Sequence, residues 1–163
     1  MATGKALNGK PYAGNPHVRF DEGEVAPAAT PRRGSLLYDI VSTEKAPKAL
    51  GPYSQAIRAG GFIWCSGQIP VDPAANAVTA TTIEGQTRQA ITNLKHVLEA
   101  AGAGLDKVVK TTVFISDMND FAALNAVYAE MFGDTKPARS CVQAARLPKD
   151  VKLEIEAVAV DEQ

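Results

Sequence analysis

The stretch PARSCVQAARLPKDVKLEIE, from Pro137 to Glu156, contains two strand-like runs separated by the turn signal LPKD at residues 147–150. Successive side chains of a strand point to opposite faces of its sheet, so Arg139 and Cys141 share one face of the first run. Glu154 begins an acidic face in the second run, and that face continues as apolar. The pattern predicts two strands that bring a guanidinium, a thiol and a carboxylate together if both strands contribute to one pocket.

These residue types suit a site for a small anion that undergoes hydrolysis. An arginine binds a carboxylate or phosphate through two parallel hydrogen bonds, and a glutamate can polarise water or move a proton. By pattern alone, however, a structural ion pair between Arg139 and a glutamate on a neighbouring strand is the commoner arrangement. Cys141 adds little, because a free cysteine in a strand usually behaves as a small buried hydrophobe. Both interpretations of the stretch are open at this point.

Composition limits the class of protein. The chain has 163 residues, of which 45% are hydrophobic, and this suits one folded domain with a substantial core. Lys and Arg number 17 against 18 for Asp and Glu, so no general field favours nucleic acid or an anionic membrane. Cys65 and Cys141 are too few and too isolated for a disulfide framework or a zinc site. Without a signal peptide or a long apolar run, the chain is expected to be soluble and cytoplasmic.

Residues 1–34 differ in kind from the rest of the chain. They are rich in Gly, Pro and Ala and have no helical or strand periodicity, so we interpret them as an appended flexible tail before a folded domain over 35–163. The five basic and three acidic residues of the tail leave 12 basic and 15 acidic residues in the domain, a net charge of −3. A transit peptide is typically acid-poor and amphipathic, which this tail is not, although organelle targeting stays open.

The periodicity of the domain predicts an α+β fold. In order, the chain is expected to form a strand over 36–41, a hairpin of runs 56–59 and 62–65, a long helix after a Thr81–Glu84 capping box, a buried strand over 107–115, a second helix capped by Asp117 and ended by Gly133, and a final hairpin from the opening stretch. Such an order predicts a mixed β-sheet with two helices on one face. The strand over 107–115 is apolar on both sides, so the second sheet face is expected to be buried against other subunits.

The chain resembles the RidA/YjgF family of reactive intermediate deaminases over about residues 37–160. The likeness is carried by APKALGPYSQ at 46–55, CSGQIPVDP at 65–73, VVKTTVFISDMNDFAALN at 108–125 and PARSCVQAARLPKDVKLEIEAVAV at 137–160. The resemblance implies a chorismate-mutase-like protomer that assembles into a homotrimer with ligand clefts between subunits. It also implies that the protein uses no metal and no cofactor.

The activity implied by the resemblance is the hydrolytic deamination of enamine/imine intermediates, such as 2-aminoacrylate, to 2-keto acids and ammonia. Carried over by position, Arg139 would hold the substrate carboxylate, and Glu154 would orient or activate the attacking water. Tyr53 and Ser66 would complete the catalytic set. The cleft would also be lined by substrate-binding residues: Gly67, Asn125 and the backbone around Cys141. A covalent role for the cysteine thiol is disfavoured, because no histidine accompanies it to form the thiolate.

The sequence is also compatible with two other functions. A regulatory protein would use the same cleft to bind 2-keto acids without turnover. The other is an RNA-cleaving translation inhibitor or a chaperone-like protein, activities that are also linked with the family. The balanced charge and the lack of an aromatic and basic surface disfavour RNA recognition.

Overall fold

The computed structural model describes residues 37–162 of the chain. Within this range the regular elements are β1 (Asp39–Val41), β2 (Ala56–Ala59), β3 (Phe62–Gln68), α1 (Ile83–Ala100), β4 (Val108–Ile115), α2 (Phe121–Phe132), β5 (Ala138–Gln143) and β6 (Leu153–Val160). Short 3-10 turns cover Leu105–Lys107, Met118–Asp120 and Pro148–Asp150. The tail predicted for residues 1–34 lies outside the described residues.

The strands form one six-stranded sheet in the order β1-β2-β3-β6-β4-β5. The pair β4 and β5 is parallel and the other pairs are antiparallel, so the prediction of a mixed sheet is confirmed. The predicted final hairpin is wrong, because β4 lies between β5 and β6. Since α2 crosses over between β4 and β5, β5 returns parallel to β4, and β6 then pairs with the opposite edge of β4.

Short polar side chains and a glycine set the limits of the two helices. The N-cap of α1 is Thr82, whose hydroxyl accepts a hydrogen bond from a backbone N–H of the first turn, so the predicted cap at Thr81 is one residue early. The Asp117 carboxylate caps the 3-10 turn that leads into α2. Gly133 ends α2 with a φ of 56°, a left-handed conformation that glycine adopts without a Cβ clash.

Both helices pack on one face of the sheet, as the periodicity predicts. Helix residues that are fully buried meet fully buried strand residues in a single core cluster that includes Leu94, Leu98 and Leu124 from the helices and Ile63, Val113 and Ile155 from the strands. Each such side chain contributes roughly 1.5–3 kcal/mol by leaving water. Burial alternates along β6, which assigns its odd-numbered residues to the helix-covered face and its even-numbered residues to the other, here called the open face.

The open face carries apolar side chains that no other layer of residues 37–162 covers. Exposed fractions are 59% for Ile40, 39% for Phe62, 49% for Trp64 and 47% for Val142. The rings of Phe62 and Trp64 pack edge to face with their centres 6.2 Å apart. Large exposed apolar patches of this kind mark contact surfaces. None of the helices in residues 37–162 is long and apolar enough to cross a membrane.

Candidate active site

The edge strand β5 directs Arg139 toward α2, on the helix-covered face. Its Nη2 donates a 2.8 Å hydrogen bond to Oδ1 of Asn125. The guanidinium carbon lies 4.5 Å from the ring centre of Tyr128 and 5.6 Å from that of Phe121. Cys141 follows two residues later on the same face of β5. We call these five residues the arginine cluster.

Neither cysteine is prepared to act as a nucleophile. Burial raises the pKa of Cys65 to about 12, and this thiol belongs to the core. Burial also raises the pKa of Cys141, and the positive charge of Arg139 offsets only part of that effect. Residues 37–162 contain no group of three or more His, Cys, Asp or Glu side chains that could hold a metal ion, so neither thiol belongs to such a group.

Glu154 lies on the open face, opposite the side on which Arg139 lies. Its register partner on β4 is Phe114, whereas the partner of Arg139 is the buried Thr111. The β3 strand has an irregular register between Cys65 and Gln68, and this bulge places the Gly67 backbone against the glutamate. A Cβ added at Gly67 would lie 1.8 Å from Oε1 of Glu154. Only glycine allows the carboxylate to keep this position.

The pKa of Glu154 is raised mainly by burial, and second by repulsion from Glu156 on the same face. The carboxylate is half-buried and makes no salt bridge with a cation of the described residues. A raised pKa makes the ionised carboxylate a stronger base than an exposed glutamate. Such a group is suited to accept a proton from water.

Ser66 and Tyr53 are linked through the loop before β2. The Ser66 hydroxyl donates a 2.6 Å hydrogen bond to the carbonyl of Ser54, and the Tyr53 hydroxyl accepts one from the backbone N–H of Leu50 at 3.1 Å. Cavities of about 500 and 450 Å³ both include Ser54 in their walls, the first with Tyr53 and the second with Ser66. Ser66 directly precedes Gly67, which lies against Glu154. We use the name glutamate cluster for these three residues together with Tyr53, which shares Ser54 with Ser66.

One copy of the chain therefore does not bring all the predicted site residues together. The interpretation of Arg139 as the ion-pair partner of a glutamate on a neighbouring strand is wrong, because Arg139 bonds to Asn125 and β4 separates β5 from β6. Within one copy, the guanidinium, thiol and carboxylate that the sequence predicts in one pocket do not all lie on the same face of the sheet. Arg139 and Cys141 share a face, and Glu154 lies on the other.

Two residues of the arginine cluster, Phe121 and Tyr128, are not among the predicted site residues. Phe121 and Tyr128 flank Asn125 at spacings of four and three residues, which places all three on one side of α2. That spacing is visible in the sequence and is the signal that links the two rings to the amide. What it does not reveal is that β5 returns beside this side of the helix and places Arg139 over the rings.

The fold and these two clusters define an α+β protein with polar residues presented on both faces of a mixed sheet, and comparison with known proteins identifies its family. Residues 43–161 match the family model described as endoribonuclease L-PSP. A RutC family protein from Pyrococcus horikoshii is 55% identical over 124 residues, which are 76% of this chain and 98% of the relative. The 2-iminobutanoate/2-iminopropanoate deaminase of Salmonella typhimurium is 54% identical over 123 residues, 74% of this chain and 95% of that enzyme. The chain belongs to the RidA/YjgF family, also described as endoribonuclease L-PSP.

Solved structures agree with this assignment. A Thermotoga maritima protein described as a putative endoribonuclease is 50% identical, with a TM-score of 0.74 over 77% of this chain and 98% of that one. Escherichia coli TdcF, solved with bound serine, is 48% identical, with a TM-score of 0.73 over 76% of this chain and 99% of its own. The predicted α+β architecture and the predicted family are therefore both confirmed.

Proposed function

We propose that the protein hydrolyses short enamine/imine intermediates of 2-amino acids to 2-keto acids and ammonia. The observation that carries the proposal is the state of Arg139. Its guanidinium is held by an amide and aromatic rings, and it makes no salt bridge within residues 37–162, so it is available to a ligand carboxylate. This chain matches the 2-iminobutanoate/2-iminopropanoate deaminase of Salmonella typhimurium over 95% of that enzyme. The name of that relative supports the carboxylate of a short 2-imino acid as the ligand group.

The reaction requires little covalent chemistry from the protein. The oxygen of water bonds to the imine carbon, the C=N electron pair moves to nitrogen, and the nitrogen takes up a proton. The C–N bond of the resulting carbinolamine then breaks, ammonia leaves, and a C=O bond forms. Water and imine are thus converted to 2-keto acid and ammonia. A site that positions the two reactants and transfers protons is sufficient.

Arg139 would bind the substrate carboxylate with its planar pair of donors. Asn125 accepts one of the five guanidinium N–H groups, which leaves a pair of donors for the ligand. A charge-assisted hydrogen bond in a partly dry site contributes about 1.5–3 kcal/mol. TdcF was solved with bound serine, a small amino acid that has such a carboxylate, and this supports the ligand class.

Glu154 would take the proton from the attacking water. Its raised pKa, caused first by burial, strengthens the ionised form as a base. The same raised pKa makes the protonated form available when ammonia leaves and requires a proton. The carboxylate position depends on the absence of a side chain at Gly67, so the glycine belongs to the proposed site.

The site would be completed by a second copy of the chain in a homotrimer. Arg139 and Glu154 lie on opposite faces of one sheet, so a cleft that contains both takes one of them from each of two neighbouring copies. The exposed apolar side chains of the open face, among them Phe62 and Trp64, support burial of that face against other subunits.

A coupled assay tests the proposed function. Threonine dehydratase generates 2-iminobutanoate, and the wild-type protein is expected to accelerate the release of 2-oxobutanoate above the rate in buffer. A Glu154→Gln variant is expected to bind 2-oxobutanoate and yet lose the acceleration, because the glutamine does not accept the proton. Binding by the wild type without acceleration would instead identify a regulatory protein, and neither binding nor acceleration would reject both functions.

Gly67→Ala is expected to lower kcat/KM for the imine by about tenfold, because the new methyl group displaces the Glu154 carboxylate and small misplacements of a catalytic group are costly. The fold should persist, since the clash falls on the end of a flexible side chain. Gly60→Ala is the control: Gly60 has a φ of 62° and open space around it, so its substitution costs stability without touching the glutamate. Wild-type kcat/KM in Gly67→Ala would remove Glu154 from the mechanism.

The description of the family model names RNA cleavage, and the charge of the chain does not support it. Phosphate backbones are bound by concentrated lysine and arginine, whereas this chain has a net charge of −1. The relatives named as deaminases cover most of the chain and support the imine reaction.

A further inference from the structure

Arg139 lies on an edge strand, and its guanidinium is nevertheless held on two sides. Strand β5 has a neighbouring strand only on its β4 side. Strand pairing alone would therefore allow the long arginine side chain to adopt many rotamers. The Asn125 carbonyl oxygen fixes one edge of the guanidinium. The Tyr128 ring lies 4.5 Å beneath it, a distance at which the electron-rich ring face attracts a cation.

The Tyr128 ring is itself fixed. Its hydroxyl shares a 2.9 Å hydrogen bond with the Thr111 hydroxyl, and Thr111 is the register partner of Arg139 on β4. The ring also stacks on Phe132, with the two ring centres 4.3 Å apart and the planes 25° from parallel. Tyr128 is only 8% exposed and Thr111 is fully buried. The ring is therefore a rigid platform tied to the strand beside the arginine.

We propose that Tyr128 is a positioning residue that holds the Arg139 guanidinium in a single orientation before ligand arrives. Its value for carboxylate capture rests on the proposed function. A guanidinium that is already oriented loses less conformational freedom when it binds, so the ligand is held more tightly. The burial-raised pKa of Tyr128 keeps its hydroxyl protonated, which preserves both the hydrogen bond to Thr111 and the neutral ring.

A purely structural role for Tyr128 makes different predictions from a positioning role. Tyr128→Leu removes the ring and also disturbs the core, so loss of stability alone is uninformative. Tyr128→Phe keeps the ring beneath the guanidinium and loses only the hydroxyl. Val127→Ala is the matched control, because Val127 is a buried neighbour on α2 outside the arginine cluster, and its substitution costs stability through the same helix.

The first measurement uses the ligand-free protein. The ¹⁵N relaxation of the Arg139 Nε–H is expected to report an ordered side chain in the wild type, Tyr128→Phe and Val127→Ala, and an order parameter below about 0.6 in Tyr128→Leu. Because no ligand is present, this result does not depend on the proposed function. An Arg139 side chain that stays equally ordered in Tyr128→Leu would overturn the inference.

The second measurement is the Kd for 2-oxobutanoate in a double-mutant cycle with Arg139→Ala. Tyr128→Leu is expected to raise Kd about three- to thirtyfold when Arg139 is present, and to add nothing when it is absent. An equal rise in both backgrounds, or a rise matched by Val127→Ala, would show a structural effect and overturn the inference. A wild type that orders Arg139 but binds no 2-oxobutanoate would reject the proposed function and leave the positioning of the guanidinium by Tyr128 supported.

Discussion

Arg139→Lys is expected to lower kcat/KM for a short 2-imino acid by up to about a hundredfold. Lysine keeps the positive charge and loses the planar pair of donors, so one of two charge-assisted hydrogen bonds to the carboxylate is lost. Lysine also loses the flat surface that packs on the Tyr128 ring and the fixed bond to Asn125. The measurement is steady-state kinetics in the coupled dehydratase assay.

The fold should tolerate this change, because Arg139 makes no ion pair within the described residues and lies at a sheet edge. The control is Arg88→Lys. Arg88 makes a two-bond pair with Glu130 at 2.8 and 2.7 Å, on exposed helix surface outside both clusters. Its substitution removes the same donor geometry and should leave kcat/KM unchanged. A trimeric Arg139→Ala protein with full activity would overturn the whole site assignment.

Much of the fold could be predicted because it depends on local patterns. The bounds of β2 at 56–59 agree with the prediction, and β4 starts one residue later than expected. The end of α2 follows from Gly133, which supplies the left-handed residue that terminates the helix. Burial alternates residue by residue along β6, as expected for a strand with one face on the core. Each of these features is fixed by neighbours close in sequence.

The order of the strands in the sheet could not be predicted from local patterns in the sequence. Alternation states which residues share a face of one strand, but it does not state which strand lies beside it. The hairpin of β5 and β6 was predicted because a turn signal at 147–150 separates the two runs. That segment does connect them, but β4 lies between the two strands in the sheet. The helix between β4 and β5 was the overlooked signal, because a crossover of that length is typical of a parallel pair.

The candidate site was predictable as a set of residues and not as a geometry. Resemblance located Arg139 and Glu154 by position, while their placement on opposite faces follows from pairing with Thr111 and Phe114 of β4. The role of Tyr128 beneath the guanidinium depends on the same pairing. The relative placement of the functional groups therefore depends on pairing between distant parts of the chain. Local periodicity in the sequence does not predict that pairing.

Because Arg139 and Glu154 lie on opposite faces of the sheet, we expect two inactive variants to restore activity when they are mixed. Arg139→Ala and Glu154→Gln are each expected to have little activity as pure proteins. If, as proposed, the chain forms a homotrimer in which each cleft takes the arginine cluster from one copy and the glutamate cluster from its neighbour, mixed trimers contain some clefts in which both groups are intact. With equal amounts and random assembly, each half of a cleft is intact with a chance of about one half, so about a quarter of the wild-type activity should return.

The two variants are to be refolded together, and light scattering is used to confirm that trimers form. The control replaces the Glu154→Gln partner with the double variant Arg139→Ala/Glu154→Gln. No chain of that mixture carries the arginine, so its activity should stay at the level of the pure variants. If Arg139 and Glu154 of the same copy instead served one cleft, every cleft in a mixed trimer would lack one group, and mixing would restore nothing. Recovery of activity thus distinguishes a site shared by two copies from a site within one, and the opposite placement of the two residues across β4 is the physical reason to expect recovery.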